Sequence, residues 1–115
     1  DWAPQSAAVH GIAFEELENA PTADNVVGDL LKNLGDRVLV SDAPEFETRW
    51  LSRLMKAGSQ AAIPIIEDYH RVSFASFSGL ALDMLYEALA RSPAPHRAGP
   101  DSARLAHAWR KAIQY

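Results

Sequence analysis

A short apolar strand followed at once by an amphipathic helix is predicted at residues 38–51, which read VLVSDAPEFETRWL. The run from Arg37 to Ser41 is apolar, rich in β-formers and bounded by turn residues, which is typical of a buried strand. Pro44 suits a first helical turn, and apolar residues recur at helical spacing over residues 44–57. Acidic side chains therefore fall at the carboxyl end of a strand, where open α/β sheets bind their ligands.

The elements on either side extend the same pattern. Further helices are predicted at 13–19, 23–34, 78–91 and 100–114, a second strand at Ile63–Ile66, and a stiff loop at Ser92-Pro93-Ala94-Pro95, while residues 67–77 are ambiguous. Alternating helices and strands indicate an α/β fold with helices packed on a sheet. Two strands are too few for a stable sheet, and the first residue is Asp1 rather than Met. We therefore expect residues 1–115 to form one incomplete domain whose first strands lie upstream.

Composition excludes several classes of protein. The chain has 115 residues, a net charge of −4 and no cysteine, which excludes a second full domain, disulfide scaffolds and thiolate metal sites. Its apolar runs are too short for a membrane span, and without a visible secretory signal we expect a cytoplasmic protein. Residues 91–115 hold five bases against one acid. Such a basic end is either a solvated helix face or a surface that meets phosphates.

A second segment whose side chains could take part in catalysis or metal binding reads His96-Arg97-Ala98-Gly99-Pro100-Asp101. It places a histidine in a loop and a carboxylate at the start of the last helix. The helix dipole favours an ionised carboxylate there, as a hard divalent cation requires. Simpler roles remain open, since Asp101 would serve equally as a helix cap and His96 as a surface loop residue. Glu47 would likewise be an ordinary acid of a first helical turn.

Together these segments resemble the second and third motifs of DEDDh 3′–5′ exonucleases, the proofreading-subunit and ribonuclease T-like group. Residues 38–51 are similar to the second motif, with its acid at Glu47, and His96 and Asp101 have the spacing of the third. The segment His10-Gly11-Ile12 resembles an upstream His-Gly-Ile segment of the family. The resemblance covers nearly the whole chain in the right order. It implies a ribonuclease H-like α/β exonuclease domain, a mixed sheet with flanking helices, whose N-terminal strands are missing from this chain.

The resemblance also implies roles for individual residues. Asp101 would bind a metal directly, Glu47 would help to hold a second metal through water, and His96 would be the general base. An imidazole suits that task because it titrates near neutral pH. The all-oxygen ligands imply two Mg²⁺ or Mn²⁺ ions. We expect Glu47, His96 and Asp101 to converge on one cleft at the carboxyl end of the strand at 37–41.

The implied substrate is the 3′ end of single-stranded DNA or RNA. His10, Ile12 and Arg97 would touch it, and Phe46 would stack on a base, whereas the helical spacing of Trp50 favours core packing. A homodimer is compatible with the resemblance, and a membrane partner is not expected.

Two features depart from the family pattern. The Asp-x-Glu strand of its first motif, which supplies the main metal ligands, is absent, and Glu47 stands where the family has aspartate. The main alternative to an exonuclease is therefore a non-catalytic ribonuclease H-like module that binds nucleic acid or a protein partner. A third reading is a helical interaction domain with no nucleic-acid role.

Overall fold

Seven helices and two short strands make up the computed structural model of the chain, which describes residues 3–93 and 96–115. Their order is α1 (Pro4–His10), α2 (Phe14–Glu18), α3 (Ala23–Leu34), β1 (Leu39–Ser41), α4 (Pro44–Ala57), β2 (Ile66–Asp68), α5 (Tyr69–Ser76), α6 (Gly79–Arg91) and α7 (Ala98–Ile113). The predicted helices at 23–34 and 44–57 are confirmed to the residue. The predicted loop residues Ala94 and Pro95 lie outside the described part.

The chain divides into two compact units. The first comprises residues 1–19 and 73–115, and the second comprises residues 20–72. The boundary falls within α5, which covers most of the stretch that the sequence left ambiguous. Each unit has its own buried residues, as described below.

The second unit is built on a strand–helix–strand arrangement. Strands β1 and β2 are parallel neighbours, and Leu39, Val40 and Ser41 pair with Ile66, Glu67 and Asp68 respectively. Helix α4 connects them, as parallel strands require a crossover. Strand β2 begins where the predicted Ile63–Ile66 strand was to end, because Pro64 has no backbone N–H to donate to a ladder. The prediction of a strand at 63–66 was therefore wrong in its position, since the predicted and observed strands share only Ile66.

The predicted fold class is wrong. The structure is 67% helical, and its only sheet in the described residues is this pair of three-residue strands, so it is a small mainly-α fold and not a ribonuclease H-like mixed sheet. The physical reason lies in the strands. Each is too short to offer an extended apolar face, so the helices bury their apolar stripes chiefly against one another.

Helices α6 and α7 form the packed centre of the first unit. The side chains of Leu85 and Leu89 on α6 and of Ala108 and Ala112 on α7 are buried. The two alanines lie one turn apart on α7, so their small side chains let the helix backbones approach closely. The helical spacing of Leu82, Leu85 and Leu89 predicts that all three face the core; Leu85 and Leu89 are buried, and Leu82 is half-buried.

Arg104 ties the same two helices together through their polar groups. Its Nη2 donates to the carbonyl of Leu89 over 2.8 Å, and its Nε donates to the carbonyl of Ser92. The last carbonyls of a helix have no partner within the helix, so a guanidinium from α7 satisfies the end of α6. One base of the basic C-terminal segment is thus part of the fold.

Contact between α3 and α4 depends on a glycine. A Cβ built on Gly58 would lie 2.6 Å from Cγ2 of Val27 and 2.9 Å from its Cβ. Val27 is 2% exposed, so it has little room to move. We expect Gly58→Ala to destabilise the chain by about 1–3 kcal/mol, the usual effect of overpacking.

Gly28 provides the matched control, because it lies inside α3 with open space around its missing Cβ. Gly28→Ala should stabilise the chain by about 0.5–1 kcal/mol through the helix propensity of alanine. Urea unfolding followed by circular dichroism measures both changes. Equal effects of the same sign would contradict the close packing at Gly58.

In the described residues, no helix combines the length and the apolar character needed to cross a bilayer.

Candidate functional site

Two segments that the sequence singled out are in contact within the first unit. The guanidinium of Arg97 donates through Nη2 to the backbone carbonyl of Gly11 over 3.0 Å, although 86 residues separate the two in the chain. Gly11 has a φ of +70°, a left-handed conformation that favours glycine. The neighbouring Ile12 is half-buried, and His10 is the last residue of α1. The His-Gly-Ile segment therefore lies beside the loop that carries His96.

That loop is held in shape by the predicted metal ligand. The backbone N–H of His96 donates to Oδ1 of Asp101 over 3.0 Å, and the N–H of Asp101 donates to the carbonyl of Arg97 over 2.8 Å. His96 itself has a φ of +61°, which is uncommon for a residue with a side chain. Asp101 is half-buried in the first turn of α7, while the His96 side chain is exposed. One carboxylate oxygen thus shapes the loop, as the capping role had suggested.

Glu47 belongs to the second unit, in the exposed first turn of α4. Its N–H donates to the carbonyl of Ala43, and the N–H of Ala43 donates in turn to the buried hydroxyl of Ser41 over 3.0 Å. These two hydrogen bonds fix how α4 leaves strand β1. The convergence of Glu47 with His96 and Asp101 stays a prediction.

A cleft of about 400 Å³ opens in the second unit at the carboxyl ends of the two parallel strands. Its lining consists of Ala43, Pro44, Glu45, Phe46, Arg49 and Asp68. This is the edge of the sheet at which the sequence predicted a ligand site. Glu47 is not among the lining residues, because it lies about 200° around the helix from Glu45.

Asp68 is an acid of this cleft that sequence reasoning missed. Its Oδ1 accepts hydrogen bonds from the N–H groups of His70, over 2.9 Å, and Arg71, over 3.5 Å, so it caps α5. The available signal was its place directly after Ile66-Glu67, at the end of the second strand. The misplaced strand at 63–66 hid that signal, since it put Asp68 beyond the end of the strand.

The aromatic residues of α4 are more exposed than predicted. Phe46 is 52% exposed, as a stacking role requires, and Trp50 is 43% exposed, so the core packing predicted for Trp50 is wrong. Among the described residues of α4, Met55 is the buried one. The helix contacts the rest of the unit mainly through the side that carries Met55, which lies roughly opposite Phe46 at 100° per residue.

The basic residues near the C-terminus mostly have partners inside the first unit. Arg91 forms an ion pair with Glu87 one turn earlier, Arg97 binds Gly11 and Arg104 caps α6. For Arg91 this pairing is that of a solvated helix face, one of the two interpretations of the segment, whereas Arg97 and Arg104 contact backbone carbonyls, which the sequence did not predict. The predicted contact of Arg97 with the substrate stays a prediction.

The described residues contain no group of three or more His, Asp or Glu side chains arranged to hold a metal ion. Asp101 with His96, and Glu45 with Asp68, are at most parts of such a set. Divalent magnesium needs six ligands, several of them water, and commonly two or more carboxylates or phosphates. The residues of either unit would therefore need ligands from elsewhere to fit the implied cations.

Comparison of the chain with protein-family models, with curated protein sequences and with solved structures found no match.

Proposed function

We propose that this chain carries part of the active site of a 3′–5′ exonuclease, which hydrolyses nucleic-acid phosphodiesters from 3′ ends. The observation that supports the proposal is the hydrogen bond from Arg97 to Gly11, because it joins two motif-like segments that lie far apart in the chain. The same loop holds His96 against Asp101 through its backbone. Since the sheet has only two strands in the part of the chain that the structure describes, the proposal rests on these residues and not on a ribonuclease H-like sheet.

Each residue has a stated role in the proposal. His96 takes the proton from the attacking water, and its position in an exposed loop leaves room for water and substrate. Asp101 would hold a metal with the carboxylate oxygen that does not shape the loop, and Glu47 would help to hold a second metal through water. Mg²⁺ or Mn²⁺ bound there would supply positive charge that stabilises the attacking and leaving oxygens.

The remaining ligands would come from outside these 115 residues, since Asp101 and Glu47 are too few to hold two cations. We therefore expect two different results from one assay. The full-length protein should shorten a 5′-labelled single strand stepwise from its 3′ end when Mn²⁺ is present and should stop when EDTA is added. The 115-residue chain alone should show little or no activity.

Gel electrophoresis of the labelled strand makes the measurement, and a strand with a blocked 3′ end is the control substrate. Shortening by the isolated chain that Asp101→Ala abolishes would show that the ligand set is wrong. Internal cuts, or no metal-dependent cuts by the full-length protein, would contradict the exonuclease.

A non-catalytic module that binds nucleic acid is the second candidate. The observation that favours it is the exposed aromatic and basic face of α4, which can bind a strand without cutting it. Strand binding without turnover by the full-length protein distinguishes this module from the exonuclease.

A further inference from the structure

One face of α4 combines exposed rings with cations. This face consists of five exposed residues, which are Phe46, Arg49, Trp50, Arg53 and Lys56. At 100° per residue, their side chains fall within an arc of about 120° around the helix axis. The two acids of the helix, Glu45 and Glu47, fall outside that arc. We call these five residues the α4 track.

The side chains of the α4 track are held against one another. The guanidinium carbon of Arg53 lies 4.6 Å from the centre of the Trp50 ring, and that of Arg49 lies 6.0 Å from the centre of the Phe46 ring. The two rings are 6.2 Å apart, edge to face. Such cation–π contacts restrict the long side chains before any ligand arrives, which lowers the entropy lost on binding.

We propose that the α4 track binds a single strand of nucleic acid, with bases stacked on Phe46 and Trp50 and phosphates contacted by Arg49, Arg53 and Lys56. Exposed rings beside a row of cations are the usual platform for single strands, because every base has a face to stack and every nucleotide has a charge. This inference rests on the proposed function, for which it specifies a single strand rather than a duplex and says where the strand lies.

The spacing of the cations supports a linear ligand. Arg49, Arg53 and Lys56 are separated by four and three residues, so they rise about 6 Å and then about 4.5 Å along the helix axis. They form a row and not a pocket.

The α4 track also continues into the cleft. Phe46 and Arg49 belong to both, so a strand that lies along α4 reaches the carboxyl ends of the two parallel strands at one end. The cleft volume of about 400 Å³ is within the range of small-ligand sites, and a nucleotide-sized group would fit it.

The test measures how tightly the full-length protein binds a fluorescein-labelled oligothymidylate of about 15 nucleotides. The buffer contains EDTA so that no turnover occurs. We expect Trp50→Ala to raise Kd by about 5- to 140-fold through the lost stacking of one base. The double variant Arg49→Gln/Arg53→Gln should also weaken binding and should reduce the slope of log K against log salt by about 1.4. A duplex of the same length should bind more weakly than the single strand.

The matched control is Arg37→Gln/Arg71→Gln, which removes the same charge from exposed positions of the same unit outside α4. Circular dichroism checks that each variant folds. If Trp50→Ala does not fold, the double variant Arg49→Gln/Arg53→Gln provides the test. Equal binding by the two double variants, or no binding by the wild type, overturns the proposal that the α4 track binds a single strand. A protein would then be the better candidate for a partner of this face. Binding that depends on the α4 track in a protein without nuclease activity would overturn the exonuclease and leave the track standing.

Discussion

Replacing His96 with alanine should lower the turnover of the full-length protein by about 10²- to 10⁴-fold while leaving metal binding and 3′-end binding nearly intact. The reason is that a general base acts on the attacking water in the transition state, whereas binding rests on metal and phosphate contacts. Single-turnover rates of strand shortening give the first quantity, and strand-binding isotherms give the second.

The backbone of His96 calls for a control of its own. With a φ of +61°, the position favours glycine or asparagine over alanine, so the alanine variant also strains the loop. His96→Gly and His96→Asn relieve that strain without restoring a base. If either variant recovers most of the turnover, loop shape and not proton transfer explains the loss.

A substitution at Asp101 distinguishes its proposed role as a metal ligand from its role in shaping the loop. Asp101→Asn keeps an oxygen that can accept the hydrogen bond from the His96 amide, but it removes the charge that a metal needs. Metal binding and turnover should both fall in this variant with the loop unchanged. Wild-type turnover in Asp101→Asn would mean that the carboxylate is a structural cap. It would contradict the role of Asp101 as a metal ligand in the proposed exonuclease.

Truncating the centre of the α6–α7 contact should have the largest effect on stability. Leu85 is 0% exposed, so Leu85→Ala leaves a cavity and should lower the free energy of unfolding by about 2–5 kcal/mol. The free energy of unfolding of a small domain is only about 5–15 kcal/mol, so we expect the variant to lose a large share of its stability.

Leu80 on the same helix is the matched control, since it is 61% exposed. Leu80→Ala should change stability by less than about 0.5 kcal/mol. The midpoint of urea unfolding measures both variants. Equal shifts would show that α6 does not bury Leu85 in the way described.

Local sequence signals predicted the helices better than the sheet. The sequence offers Thr22 or Asp24 as the cap of α3, and in the structure the side-chain oxygen of Thr22 accepts from the N–H of Asn25 over 3.3 Å. Pro44 opens α4 as expected. Helix caps and helical periodicity depend on residues that are close together in the chain, so a single sequence is enough to identify them. Strand pairing joins distant residues, and a three-residue strand has almost no periodicity to detect.

The contacts of the candidate site were less predictable than its residues. The resemblance implied that Arg97 touches the nucleic-acid strand, which stays a prediction, but it did not indicate the hydrogen bond that Arg97 donates to the carbonyl of Gly11. The helical spacing predicted Trp50 as core, and the ring is exposed beside Arg53. Residue type says what a side chain is able to bind, whereas its partner depends on which distant segment the fold brings near.

The pair of parallel strands has a further consequence. In the described residues, β1 and β2 pair only with each other, so each turns one side of its backbone away from the ladder. The flanking Val38 and Ile65 are 68% and 80% exposed. Unpaired amides beside apolar side chains form a template to which another strand can add, from a neighbouring segment or from a second molecule. Addition of another strand is therefore expected at these two edges, over a length of about three residues.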